Sequence, residues 1–144
     1  MNKLRLNTED MKCMTLFENL TGARARDYIK SGGRACFIVE EGDMGLAIGK
    51  NGINVKKVRQ ALNTNIMVIE YSPEKQDFIR NIFHPVKLKN ISFNQDPEGN
   101  NIATINAGKK DRGRIIGEGG YKIKLARQIA ARHHDIQDIN LKIS

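Results

Sequence analysis

Gly45-Leu46-Ala47-Ile48-Gly49-Lys50-Asn51-Gly52 begins a sixteen-residue stretch that continues as Ile53-Asn54-Val55-Lys56-Lys57-Val58-Arg59-Gln60. A second copy starts 68 residues later with Gly113-Arg114-Ile115-Ile116-Gly117-Glu118-Gly119-Gly120 and continues as Tyr121-Lys122-Ile123-Lys124-Leu125-Ala126-Arg127-Gln128. Seven of the sixteen positions are identical without a gap: Gly45, Ile48, Gly49, Gly52, Lys56, Arg59 and Gln60. A period of this length is typical of two copies of one folding unit. We therefore predict two domains, residues 1–72 and residues 73–144.

The apolar and turn residues of both halves predict the same order of elements: helix, strand, strand, helix, helix, strand. In the first half we predict helices at 8–20, 44–48 and 53–62, the first two capped by Thr8 and Asp43, and strands at 25–30, 34–40 and 66–71. In the second half we predict helices at 76–83, 109–116 and 121–133, and strands at 86–93, 102–107 and 139–143. This order predicts an α+β fold in which each half packs a three-stranded sheet on helices.

Each copy of the repeat places a glycine-rich loop before a basic helix. Glycine permits the backbone angles of a sharp turn, and without Cβ atoms a phosphate can approach the backbone closely. The helix that follows directs its free N–H groups and the positive end of its dipole to the same place. The loops 49–52 and 117–120 therefore predict sites for a nucleic-acid backbone, with basic side chains of the following helix beside the phosphates.

The candidate contact residues follow from this reading. In the first copy they are Ile48, Gly49, Lys50, Asn51, Gly52, Lys56 and Arg59. In the second copy they are Arg114, Ile116, Gly117, Glu118, Gly119, Gly120, Tyr121, Lys122, Lys124 and Arg127. We expect Ile48 and Ile116 to line a groove for bases and Tyr121 to stack on a base. Glu118 places a carboxylate in the second loop, so we expect that loop to bind less tightly.

Charge favours a polyanionic partner. The chain has 24 Lys and Arg against 16 Asp and Glu, a formal net charge of +8, and nucleic acid is the commonest partner of such a chain. Glu9, Asp10 and Lys12 stand where a signal peptide would be apolar, and the longest apolar run is far too short to span a membrane. We expect a cytoplasmic protein.

Catalysis and cofactor binding find little support. Cys13 and Cys36 form neither a disulfide framework nor a zinc pattern. The adjacent His133 and His134 would point about 100° apart on a helix, so they cannot share one metal ion. No nucleophile–base set is apparent. We expect no enzyme, no metal and no cofactor.

Ile-Gly-x-x-Gly opening a basic helix is the mark of a KH domain, whose Gly-x-x-Gly turn clamps single-stranded nucleic acid. Both halves resemble type II KH domains, in which an extra helix and strand precede the core. The whole chain resembles the archaeal NusA-like transcription factors, which are little more than two tandem KH domains. The stretches that carry this resemblance are 8–11, 16–23, 41–52, 78–83, 123–127 and 132–134.

The resemblance implies control of transcription elongation, pausing or termination through single-stranded RNA, the nascent transcript. Bacterial relatives add a polymerase-binding N-terminal domain and an S1 domain, and neither fits in 144 residues. A polymerase contact therefore cannot be carried over from them. RNA polymerase stays a candidate partner, and we expect a monomer. Two alternatives stay open: a KH-domain adaptor that docks on RNA polymerase or the ribosome through its protein surface, and an RNA-binding factor of ribosome assembly or RNA decay.

Overall fold

The computed structural model describes residues 6–144, which form two compact units. One unit ends at Pro73 and the other is Glu74–Ser144. The predicted order of helix, strand, strand, helix, helix, strand is confirmed in both. The domain bounds 1–72 and 73–144 stay a prediction, and residues 1–5 of the first predicted domain lie outside the described residues.

The first unit consists of α1 (Thr8–Thr21), β1 (Ala25–Ser31), β2 (Arg34–Val39), α2 (Met44–Ile48), α3 (Ile53–Leu62) and β3 (Asn65–Glu70). Its sheet has the order β1-β2-β3, with β1 antiparallel and β3 parallel to the central β2. The parallel pair follows from the connection, because α2 and α3 carry the chain back to the starting end of the sheet before β3 begins.

The second unit repeats this topology with α4 (Lys75–Phe83), β4 (Asn90–Gln95), β5 (Asn101–Ala107), α5 (Arg112–Ile116), α6 (Tyr121–His134) and β6 (Asp138–Ile143). The sheet order is β4-β5-β6, again with one antiparallel and one parallel pair. The predicted α+β architecture with a three-stranded sheet on helices is therefore confirmed in each unit.

The core of the first unit is built around Phe37 on the central strand. Its ring stacks on Phe17 of α1, with centroids 4.2 Å apart, and is tilted against Tyr28 of β1 at 4.9 Å. Val58 of α3 and Ala47 of α2 are fully buried in the same cluster. Each large apolar side chain buried in this way contributes about 1.5–3 kcal/mol, so the cluster holds α2 and α3, and the loop between them, against the sheet.

The core of the second unit uses the apolar faces of its two longest helices. Helix α4 buries Phe78, Ile79, Ile82 and Phe83, and α6 buries Ile123, Leu125, Ala126, Ile129 and Ala130. His133 and His134 end α6 with their rings against Phe78, at centroid distances of 5.7 and 5.2 Å. The histidine pair thus takes a packing role at the helix end.

One predicted helix cap is wrong, and a second has the predicted position but lacks the capping bond. Helix α1 is capped by Asn7 rather than Thr8, because Asn7 and Asp10 form a reciprocal capping box that accounts for two backbone N–H groups. Asp43 precedes α2 without a side-chain capping hydrogen bond. Its carboxylate accepts instead from the backbone N–H and guanidinium of Arg24.

Two predicted element bounds in the second unit also differ. The strand predicted at 86–93 begins only at Asn90, although Val86 and Leu88 are buried in the segment before it. The helix predicted at 109–116 is a 3₁₀ turn, Lys109–Asp111, followed by α5. In the first of these places Val86 and Leu88 are buried without continuing the strand, whereas the 3₁₀ turn Lys109–Asp111 has no buried residue.

Candidate nucleic-acid interface

The two glycine loops have the same backbone conformation. Gly49 has φ 78° and ψ 170°, and Gly117 has φ 77° and ψ 163°. The third and fourth residues of both loops are left-handed: Asn51 and Gly52 have φ 57° and 75°, and Gly119 and Gly120 have φ 65° and 80°. Asn tolerates this region better than most residues, so the loops differ in sequence without differing in shape.

The first glycine of each loop is required by a close contact with the helix that follows. A Cβ atom on Gly117 would lie 2.7 Å from the Cβ of Lys122 and 2.9 Å from its backbone nitrogen. Gly49 faces Asn54 in the same way. A side chain is therefore excluded at both points, because the first residues of the following helix occupy the space that its Cβ would need.

Each loop leads directly into a helix N-terminus that has no side-chain cap. Gly52 is the N-cap of α3 and Gly120 is the N-cap of α6, and neither glycine has a side chain that could cap its helix. A helix N-terminus carries about half a positive elementary charge. The first backbone N–H of each helix, at Ile53 and Tyr121, bonds back to a loop carbonyl, that of Lys50 and of Glu118. Both loops therefore combine a bare backbone with the electrostatics that favour an anion.

The candidate side chains of the first loop are mostly exposed. Lys50, Asn51, Lys56 and Arg59 are exposed, and Ile48, Gly49 and Gly52 are half-buried. In the second unit Arg114, Glu118, Gly119 and Lys124 are exposed, while Ile116, Gly117, Gly120, Tyr121, Lys122 and Arg127 are half-buried. The structure therefore brings the candidates of each copy to one loop and its two flanking helices, while Arg59 and Arg127 lie farther along α3 and α6.

Arg127 is engaged within its own unit. Its guanidinium lies 2.9 Å from the carboxylate of Asp138, and it donates to the backbone carbonyl of Ile139 at 3.1 and 3.3 Å. Its charge is therefore partly neutralised on the side of β6. Arg59 and Arg127 hold the same position in the sequence repeat. The sequence difference that separates them is the first residue of the last strand of each unit, which is Asn65 in the first unit and Asp138 in the second.

Glu118 and Tyr121 distinguish the second loop from the first. The carboxylate of Glu118 is exposed and makes no ion pair with any of residues 6–144. The Tyr121 ring packs beside the loop, because its Cδ1 would be 2.9 Å from a Cβ on Gly117. A bare negative charge thus stands where the first loop presents Lys50.

Two exposed apolar residues beside the first loop were not predicted as site residues. Leu46 on α2 is 51% exposed and Ile53, the first residue of α3, is 50% exposed. Their counterparts in the repeat are Arg114 and Tyr121. The first loop is therefore flanked by aliphatic side chains and the second by a cation and an aromatic ring, which gives the two loops different surfaces for bases.

Asp43 and Arg24 brace the turn that leads into α2. The guanidinium of Arg24 and then its backbone N–H bond the Asp43 carboxylate, which lowers the pKa of Asp43 below its usual range. The same contact raises the pKa of Arg24. This pair fixes the start of the helix that precedes the first glycine loop.

Within residues 6–144, every helix is too short or too polar to cross a lipid bilayer.

Comparison with known proteins gives one consistent family. The KH domain family matches residues 14–98, more than half of the chain. The probable transcription termination protein NusA of Methanococcus vannielii is 36% identical over 140 residues, which cover 96% of this chain and 80% of that protein. The protein of the same name from Methanocaldococcus jannaschii is 36% identical over 141 residues, covering 98% of this chain and 76% of that protein.

A halophile protein and a solved structure are each matched over nearly their own whole length. The probable transcription termination protein NusA of Halobacterium salinarum is 31% identical over 138 residues, covering 96% of this chain and 98% of that protein. The crystal structure of APE1850 matches with a TM-score of 0.81 at 30% identity, covering 95% of this chain and 100% of that chain.

Proposed function

The chain belongs to the KH-domain family of archaeal NusA-like transcription termination proteins, and on that premise we propose that it binds nascent single-stranded RNA through two Gly-x-x-Gly loops. Binding would act on transcription termination and elongation, without catalysis by the chain itself. The names of the relatives support a role in transcription termination, and the KH domain supports single-stranded nucleic acid as the ligand. We place this activity in the cytoplasm and expect a monomer.

The observation that carries the proposal is the repeated loop geometry. Two loops with matching φ and ψ angles each precede an uncapped helix N-terminus, in a chain of net charge +8. In both copies the first glycine, Gly49 or Gly117, packs on the following helix, which favours a loop of fixed shape at a helix N-terminus, where a phosphate would bind.

The apolar side chains beside the first loop favour single-stranded RNA over a duplex. The phosphate contacts would fix the position of the strand, and bases splayed beside the loops would meet Ile48, Leu46 and Ile53 in the first unit. Unstacked bases offer apolar faces and hydrogen-bonding edges that a duplex hides. We therefore expect modest sequence preference added to an affinity that comes mainly from phosphates.

In-cell crosslinking with sequencing of the bound RNA tests the biological part of the proposal. We expect reads from nascent transcripts, enriched near their 3′ ends. Enrichment of ribosomal RNA precursors would contradict the transcription role in favour of ribosome assembly. Recovery of RNA polymerase subunits without RNA would contradict RNA binding and favour the protein-docking adaptor.

A further inference from the structure

The two units differ at one equivalent pair of positions on the long helix and the last strand. Arg59 and Arg127 each occupy the seventh residue of their helix, α3 and α6. Asn65 and Asp138 each begin the following strand and pair with the central strand of the sheet. Arg127 is bound to Asp138, whereas Asn65 offers no charge to Arg59. Among residues 6–144, Arg59 has no ion-pair partner.

A surface cavity of about 500 Å³ lies at this place in the first unit. It is lined by Gly33, Arg59, Gln60, Asn63, Thr64 and Asn65, and we call it the Arg59 pocket. The hydroxyl of Thr64 donates to the carbonyl of Gly33, so the turn between β1 and β2 closes one side of it. Its volume falls in the range of about 300–1,000 Å³ that suits a small-molecule-sized group.

The position of the pocket decides which part of a nucleotide it suits. It lies at the C-terminal end of α3, which ends at Leu62 with Asn63 left-handed at the cap. The negative end of the helix dipole disfavours a phosphate there and favours hydrogen-bond donors, such as the amino group of a base. Phosphates are served at the other end of the same helix, beside the first loop.

The side chains of the pocket match the edges and faces of a base. A guanidinium stacks on a base plane or bonds its acceptors. The amides of Gln60, Asn63 and Asn65 carry a donor and an acceptor each, which is the pairing that Asn and Gln make with adenine. The lining therefore combines one cation with neutral groups of both hydrogen-bonding kinds.

We propose that the Arg59 pocket binds one base of the RNA strand whose backbone lies on the first loop, and that the second unit lacks this base site because Asp138 and Ile139 hold Arg127. The proposal rests on the proposed RNA-binding function. From Ile53 to Arg59 the helix advances about 9 Å along its axis. The base site is thus a separate contact from the loop and would give the first unit a sequence preference that the second unit does not share.

Affinity and salt dependence test the proposal with the full chain and fluorescent single-stranded RNAs of mixed and homopolymeric sequence. We expect Arg59→Gln to weaken binding of the preferred RNA about five- to twenty-fold, within the range of a lost base contact, with an unchanged salt slope. Asn65→Asp should act in the same direction, because it gives Arg59 the carboxylate partner that Arg127 already has. Arg127→Gln should cause a smaller loss than Arg59→Gln.

Lys30→Gln is the matched control, because it removes one exposed positive charge from β1 of the same unit. Equal losses of RNA affinity in Arg59→Gln and Lys30→Gln would overturn the proposal of a base site, since only net charge would then matter. A salt slope reduced by about 0.7 in Arg59→Gln would also overturn it, because that is the signature of one phosphate contact. Circular dichroism and urea unfolding of each variant exclude a loss of fold as the cause.

The outcomes separate this proposal from the function on which it rests. Unchanged RNA affinity in both Arg59→Gln and Asn65→Asp, with the wild type still binding, would overturn the Arg59 pocket alone. Failure of the wild type to bind any single-stranded RNA would overturn the RNA-binding function and the pocket together.

Discussion

A Cβ atom on Gly49 would lie 2.7 Å from the side-chain Cγ of Asn54 and 2.9 Å from its backbone nitrogen. The amide of Asn54 in turn donates to the carbonyl of Leu46 at 2.8 Å. Asn54 therefore links the first turn of α3 to α2 across the loop. The side chain of Asn54 occupies the space that a side chain at Gly49 would need. The shape of the loop is determined by packing as well as by backbone freedom.

Gly49→Ala should destabilise the protein by about 2–3 kcal/mol, because it combines this clash with a φ of 78° and ψ of 170° that residues other than glycine rarely adopt. Urea unfolding followed by circular dichroism measures the effect. Gly119→Asn is the control and should change stability by less than about 0.5 kcal/mol, since Asn51 already holds φ 57° at the same loop position. Equal stability of both variants would contradict the packing argument.

Acid should remove the contribution of the Arg24–Asp43 pair. The hydrogen bonds from Arg24 lower the pKa of Asp43 in the folded protein. A carboxylate with a lowered folded pKa stabilises fully above its unfolded pKa of about 3.9, and this stabilisation is lost as pH falls through the folded value. The difference in unfolding free energy between wild type and Asp43→Asn should therefore be largest near neutral pH and shrink below about pH 4. A difference that does not vary with pH in urea titrations would be incompatible with this.

The second loop should gain affinity when its negative charge is reversed. Glu118 is exposed and makes no ion pair among the described residues, and it takes the place of Lys50 in a loop that is proposed to bind a phosphate. We expect Glu118→Lys to strengthen RNA binding by about 0.5–1 kcal/mol, two- to five-fold, the size of a partly exposed charge effect. Glu118→Gln should give about half of that gain. If sequence preference changes instead and no RNA binds more tightly, Glu118 contacts a base amino group.

RNA affinity should fall steeply with salt. For single strands the logarithm of affinity falls with a slope of about −0.7 for each phosphate contact, so four to six contacts give about −3 to −4. The basic side chains expected to contribute are Lys50, Lys56, Arg114, Lys122 and Lys124. Fluorescence anisotropy between about 50 and 200 mM salt measures the slope. A slope near zero would favour the alternative function, a KH-domain adaptor that binds a protein partner.

The sequence predicted the helices around the first loop without error. Helices α2 and α3 have the predicted bounds, Met44–Ile48 and Ile53–Leu62. The reason is local, because Gly49 and Gly52 separate α2 from α3 at the predicted positions. Val58 on the apolar face of α3 is buried in the core, as expected. Short-range signals sufficed wherever turn chemistry and apolar spacing agreed.

The errors arose where a distant partner decides the local structure. Asp43 looks like a helix cap in sequence, but Arg24, 19 residues earlier, takes its carboxylate. Val86 and Leu88 suggest a strand, yet they are buried in an irregular segment ahead of β4. Arg59 and Arg127 are identical in the repeat and differ in the structure through Asn65 and Asp138. None of these contacts follows from spacing along the chain.

The measurement that tests the central claim most directly is the affinity of Lys50→Asp/Asn51→Asp for single-stranded RNA, compared with wild type by fluorescence anisotropy. The two carboxylates would stand in the exposed loop where phosphate is proposed to bind, and Asp tolerates the left-handed backbone at position 51. The account predicts an affinity loss of at least about ten-fold, about 1.4 kcal/mol, with native circular dichroism. Wild-type affinity in a natively folded variant would contradict the claim that this loop holds the RNA backbone.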